Sequence, residues 1–143
     1  MKDEGQALIE PGPFTFMKKA VLLVGHGSKL SGSSDALNQV LDSLRRKEPS
    51  TFFQAAFLEI QPPNIPQGIE LCLNQGACEV IVIPYFVQAG KHVVEDIPRI
   101  VSEAQARHSG QHIYLAEYLS FDPRIVSVVE DRIRLVREGL KTV

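Results

Sequence analysis

A chain of 143 residues has room for one domain. At this length roughly 70% of the surface of the unfolded chain can be buried, so a core needs neither disulfides nor a structural metal. Its 44% hydrophobic and 22% charged residues exclude a disordered, collagenous or coiled-coil chain, and a net charge of −2 gives no global positive field for nucleic acid or an anionic membrane.

The charged N-terminal stretch Met1 to Gln6 has no apolar run behind it, which predicts no secretory signal and a cytoplasmic chain. The longest wholly apolar runs, Ala20 to Val24 and Val80 to Ile83, are about a quarter of the ~20 residues a membrane-spanning helix needs. Residues 1–17, with Gly5, Pro11, Gly12 and Pro13 and no hydrophobic period, read as a flexible leader, and residues 18–143 as a single domain. Lys19 to Val24 is a short β-branched run that stops at Gly25-His26-Gly27-Ser28, the pattern of a buried first strand ending in a turn. From Ser33, the residues Ala36, Leu37, Val40, Leu41 and Leu44 recur at helical spacing, and Pro49 lies beyond the end of that helix. Thr51 to Leu58 reads as strand two. Asn64-Ile65-Pro66 then opens a helix with Ile65, Ile69, Cys72 and Leu73 on its inner face, and Gly76 closes it.

Glu79 to Phe86 contains the unbroken run Val80-Ile81-Val82-Ile83, as expected of a third strand buried on both faces of a parallel sheet. Asp96-Ile97-Pro98 repeats the helix-opening chemistry for a stripe of Ile97, Ile100, Val101 and Ala104. His112 to Ala116 is a fourth strand. Asp122-Pro123 starts a last helix with Ile125, Val128, Val129, Ile133 and Val136 on one side. Cys72 and Cys78 match neither a redox pair nor half of a zinc clip in spacing and read as packing residues.

Four βα units in succession predict an α/β fold: an open parallel four-stranded sheet in the order 2-1-3-4, with helices on both faces. In such a sheet the helices after strands one and three leave on opposite faces, which opens a ligand crevice at the strand carboxyl ends. The turn after strand one brings His26 and Ser28 there, strand two brings Glu59, and the segment after strand three brings Lys91 and His92. Two imidazoles and a carboxylate suit a late first-row divalent ion such as cobalt, nickel, iron or zinc. Each residue alone has a plainer reading: a tight turn with a hydrogen-bonded histidine, a helix-start cap, a solvated strand end. Two histidines at the two switch-point loops are the less accidental arrangement. His108, in a helix's last turn, and His112, at a strand start, read as structural. The glycines match neither phosphate-cradling spacing, so no nucleotide is expected. Ser28 lacks the G-x-S-x-G elbow of a nucleophile.

Val24-Gly25-His26-Gly27-Ser28, Ala56-Phe57-Leu58-Glu59, Ile83-Pro84-Tyr85-Phe86 and Ala89-Gly90-Lys91-His92-Val93, followed by Asp96-Ile97-Pro98, resemble the short-form sirohydrochlorin chelatases of the cobaltochelatase type, over about residues 19 to 137. The resemblance implies a chelatase-like domain, half of a flavodoxin-like fold. It implies ATP-independent insertion of a divalent metal, cobalt first and iron or nickel as alternatives, into the polycarboxylated ring of sirohydrochlorin in cobalamin or sirohaem biosynthesis. His26 and His92 then correspond to the family's metal-binding and proton-accepting histidines, and Glu59 to a carboxylate at the same site. Ser28, Lys29, Lys91 and Arg99 are the candidate contacts to substrate. Lys29 stands where many members carry Arg, so its contact with a carboxylate is a point charge rather than a fork. Some members carry a cysteine-rich or histidine-rich tail. This chain has neither, and no iron–sulfur cluster is expected. A ring with acid groups all round its rim needs a second wall beyond one four-stranded domain, which predicts a homodimer. A non-catalytic tetrapyrrole or metal carrier of the same fold is the alternative.

Overall fold

The structure, a computed structural model, describes residues 19–27 and 35–139. The leader expected over residues 1–17 lies outside the described residues, as do Ser28 and Lys29. Four strands, β1 (Lys19–Gly25), β2 (Phe52–Phe57), β3 (Glu79–Pro84) and β4 (His112–Leu115), form one all-parallel sheet in the order β2-β1-β3-β4. This is the expected 2-1-3-4 arrangement. Leu23 of β1 stands beside Ala55 of β2 and Ile83 of β3.

Side chains alternate across the sheet and divide the core into two layers. Ala20, Leu22 and Val24 of β1, with Val80 and Val82 of β3, face α2 (Ile65–Asn74) and α3 (Ile97–Arg107), whose Ile65, Ile69, Cys72, Ile97, Val101 and Ala104 close that layer. On the opposite face Leu23, Phe53, Ala55 and Phe57 pack under Leu37 and Leu41 of α1 (Asp35–Lys47). Gly68 lets α2 approach closely: a Cβ there would lie 2.7 Å from Leu22 Cδ1 and 2.9 Å from Ala56 Cβ.

The helix starts obey their sequence signals unevenly. Asn64 caps α2 in a reciprocal box, its Oδ1 accepting from the Gln67 N–H and the Gln67 Oε1 accepting from the Asn64 N–H, both at 2.8 Å. Asp122 caps α4 (Pro123–Arg137) by accepting from the Arg124 N–H at 2.9 Å, and its bidentate contact with the Arg124 guanidinium holds the carboxyl well below the usual carboxylate range. Asp96 does not repeat this chemistry. The chain is already helical there, in a π-helical turn over His92–Asp96 that runs into α3, so Asp96 has helical angles and its side chain makes no capping bond.

One further expectation is corrected. Cys72 is buried, where desolvation pushes its thiol up to about 12, but Cys78 is exposed in the turn before β3. The apolar side of α4 carries no buried residue. His108 sits just past α3 and meets Glu70 of α2 at 2.7 Å, tying the two helices together, while His112 stacks on Tyr114. Among the described residues no helix is long and apolar enough to cross a membrane.

Candidate functional site

The parallel ladder does not stop where β1 and β2 end. The Leu58 N–H donates to the Gly25 carbonyl at 3.0 Å and the Glu59 N–H to the His26 carbonyl at 3.2 Å, which carries the pairing one step past the sheet edge. His26 and Glu59 therefore stand side by side on adjacent strand ends, with Nε2 3.1 Å from Oε2. Their side chains are 56% and 51% exposed, so the pair is open to a ligand from the crevice rather than sealed in the core.

The backbone around the pair is sharply bent. Gly27 has φ +100°, and a Cβ there would run into the Glu59 carbonyl oxygen, so only glycine permits this approach of the two segments. Ile60, directly after Glu59, has φ +78°, an outlier for a β-branched residue, and the Gln61 N–H returns to the Glu59 carbonyl at 2.9 Å. Strain of this kind collects where a local geometry is held by the structure around it. Composition gives no sign of the Ile60 conformation, because the sequence around it carries no glycine to announce a turn.

The third strand end delivers its residues to the same edge. Tyr85 donates its N–H to the Val24 carbonyl at 2.8 Å, and after an irregular passage the chain turns helical at His92, where the Val93 and Val94 N–H groups both donate to the Gly90 carbonyl at 3.1 Å. The backbone of His92 thus begins the helical turn that leads into α3, and Lys91 beside it is exposed. Arg99 lies further along α3, 3.9 Å from Asp96 and 3.6 Å from Glu103, so acids of its own segment hold it. Among the described residues no third His, Cys, Asp or Glu joins His26 and Glu59 in a metal-binding group.

An imidazole nitrogen and a carboxylate oxygen in contact can perform two tasks. The carboxylate orients the ring, and the two together offer the mixed nitrogen and oxygen donors that late first-row ions accept. The same imidazole, when neutral, can take up a proton from a ligand N–H.

The family model described as CbiX matches residues 20–136. The chain belongs to the CbiX family. Among curated relatives, the sirohydrochlorin ferrochelatase of Bacillus subtilis strain 168 is 29% identical over 118 residues, covering 82% of this chain and 45% of that protein. The sirohydrochlorin cobaltochelatase of Methanothermobacter thermautotrophicus is 32% identical over 133 residues, covering 82% of this chain and 92% of that protein. A similar solved structure is the sirohydrochlorin chelatase SirB from Bacillus subtilis subspecies spizizenii in complex with cobalt. It superposes with a TM-score of 0.75 at 30% identity, over 82% of this chain and 50% of that one. The chain thus spans about half the length of the Bacillus relatives and nearly all of the archaeal one.

Proposed function

We propose that this CbiX-family domain inserts a divalent metal ion into sirohydrochlorin, with cobalt as the ion, and that it does so without a nucleotide. The observation that carries this reading is the His26–Glu59 pair, 3.1 Å apart on the shared edge of three parallel strands in a chain that belongs to the CbiX family. Cobalt is taken as the ion because the relative that this chain matches over 92% of its length is named a cobaltochelatase.

Insertion requires the ion to shed water, reach the ring face and replace two pyrrole protons. His26 and Glu59 receive the ion as substrate and exchange its water for their nitrogen and oxygen. His92, on the segment after β3, is assigned the proton-accepting role, in which a neutral imidazole takes up a pyrrole proton. Lys91, Lys29 and Ser28 are assigned to the ring's peripheral carboxylates. Arg99 joins them only if substrate carboxylates displace Asp96 and Glu103. A single domain walls one side of a flat ring, so the active assembly is a homodimer in the cytoplasm, with no nucleic acid or membrane as partner.

The test is an anaerobic visible-spectrum assay of sirohydrochlorin with Co²⁺, Fe²⁺ and Ni²⁺ in turn, under multiple-turnover conditions. The expected result is turnover fastest with Co²⁺ and lost in both His26→Ala and His92→Ala, with melting temperatures unchanged. Near wild-type rates in both variants refute the two-histidine mechanism. Binding without turnover establishes the carrier.

A further inference from the structure

The carboxyl edge of the sheet carries exposed apolar side chains on both sides of the His26–Glu59 pair. On the β2 side Ile60, directly after Glu59, is exposed. On the other side the pairing of β3 with β4 continues past the sheet, as that of β1 with β2 does: the Ala116 N–H donates to the Val82 carbonyl at 2.8 Å and the Ser120 N–H to the Phe86 carbonyl at 3.3 Å. This places the backbone of Val87 next to the segment from Leu119 to Phe121. All three side chains are exposed, and Phe121, at 74%, is the most open large hydrophobic residue among those described.

That exposure is built into the connection. Ser120 takes φ +51° and is tied to Phe86, and Asp122 is fixed as the cap of α4 by its bond from the Arg124 N–H, so Phe121 is pinned by a bonded residue on either side. A lone surface phenylalanine is ordinary. Phe121 instead stands with Val87 and Leu119 at the edge that carries the candidate metal site, where contiguous exposed apolar surface marks a binding surface. β3 alone separates β1 from β4, so Ser120 lies about two strand spacings, ~10 Å, from His26 along the edge. A flat four-pyrrole ring centred on the His26–Glu59 pair bridges that gap.

We propose that Phe121, flanked by Val87 and Leu119, is the apolar seat for one pyrrole unit of sirohydrochlorin, and that it fixes where the macrocycle lies relative to His26. Two features select this occupant. The first is continuity: the seat and the metal site share one sheet edge and are both framed by ladder bonds that run past it. The second is polarity. The macrocycle has apolar faces and a rim of carboxylates, and the seat is apolar with cations beyond it, the exposed Lys91 on the segment after β3 and Arg124 in the first turn of α4. An aromatic side chain against a ring face binds through buried area and offset stacking, a contribution that salt does not screen.

This inference rests on the chelatase reading above and names a further substrate contact in it. Wild-type insertion with an unaltered Phe121 variant defeats the seat alone, whereas a wild type that binds no sirohydrochlorin defeats both.

The test titrates metal-free sirohydrochlorin into the full chain under anaerobic conditions, followed by its visible absorption, at about 0.05 and about 0.5 M NaCl. Phe121→Ala should raise the dissociation constant about 10-fold, equivalent to about 1.4 kcal/mol, and by the same factor at both salt concentrations. Phe121→Tyr keeps the aromatic ring and should stay within about 2-fold of wild type. Val87→Ser should weaken binding about 3-fold, and it carries the test by itself if circular dichroism shows Phe121→Ala to be unfolded. Sedimentation velocity should find Phe121→Ala in the same assembly state as the wild type. Wild-type affinity in Phe121→Ala overturns the proposal. So does a loss that shrinks at high salt, which would make the contact electrostatic, and so does an equal loss in Phe121→Tyr. A changed assembly state in Phe121→Ala also overturns it, by assigning Phe121 to a contact between copies of the chain.

Discussion

Replacing Gly27 by Ala tests whether the main chain sets the spacing of the site. At φ +100° an alanine costs about 1–2 kcal/mol in backbone strain. Its Cβ would also collide with the Glu59 carbonyl oxygen and lie 3.2 Å from the carbonyl carbon, so the β1 turn and the segment after β2 must separate by roughly 1 Å to reach van der Waals distance. That separation breaks the bond from the Glu59 N–H to the His26 carbonyl, about 1 kcal/mol more. The sum of ~2–3 kcal/mol is borne by a loop rather than by either core layer, and lowers the melting temperature by no more than ~10 °C. The effect on chemistry is larger, because a displacement of about 1 Å in a reacting constellation costs on the order of 10²-fold in rate. The assay is cobalt insertion into sirohydrochlorin, with circular dichroism to establish the fold. A Gly27→Ala protein that inserts metal at the wild-type rate would refute the reasoning.

Glu59→Gln keeps the shape of the site and removes its anion, so insertion should fall at least ~10-fold while the melting temperature stays put, since a half-exposed histidine–carboxylate contact is worth only about 0–1 kcal/mol. A parallel loss of stability would instead make Glu59 a structural residue. Gly68→Ala gains about 1 kcal/mol in helix propensity but forces a methyl to 2.7 Å from Leu22 and 2.9 Å from Ala56, which puts overpacking at the upper end of its range, about 2–3 kcal/mol, and leaves a net loss of roughly 1–2 kcal/mol, read as a drop of several degrees in melting temperature. An unchanged melting temperature would mean that α2 slides freely on the sheet. Of the two cysteines only Cys78 should react with a thiol reagent in the native protein, Cys72 following on unfolding. Because the folded Cys72 pKa is raised to about 12, above an unfolded thiol near 8.5, its contribution to stability is present below about pH 8.5 and is lost as pH rises toward 12. Urea unfolding of wild type against Cys72→Ala between about pH 8 and 10.5 should show the steeper fall in the wild type.

What could be read from the sequence was what local physics decides. The Val80-Ile81-Val82-Ile83 run marks a strand, though only its Val80 and Val82 face is fully buried and not both faces as the run predicts, and the hydrophobic spacing of Ile65, Ile69 and Cys72 marks the inner face of α2, so sheet order and helix placement follow from connectivity rules. Of the site, the pairing of His26 with Glu59 was legible because both lie at strand ends, and parallel neighbours bring their ends to one edge. The stripe on α4 has the same period as those of α2 and α3, and periodicity states that a face seeks burial without naming the chain that supplies it. Asp96 carries the residue types of a helix start, but the π-helical turn before it had already begun the helix. Cys78 was misread for a related reason: exposure depends on what stands opposite in space, which neither composition nor spacing encodes.

The ladder that runs past the ends of β1 and β2 separates two properties that metal sites usually mix. Where positions 26 and 59 stand relative to each other is a property of main-chain hydrogen bonds and of Gly27. Under the proposed function, ion preference would be set by two side chains that are more than half exposed. A frame built this way lets selection exchange the donors one at a time, imidazole for carboxylate or the reverse, without repacking anything beneath them. Metal preference in such a lineage can drift while folding stability stays constant.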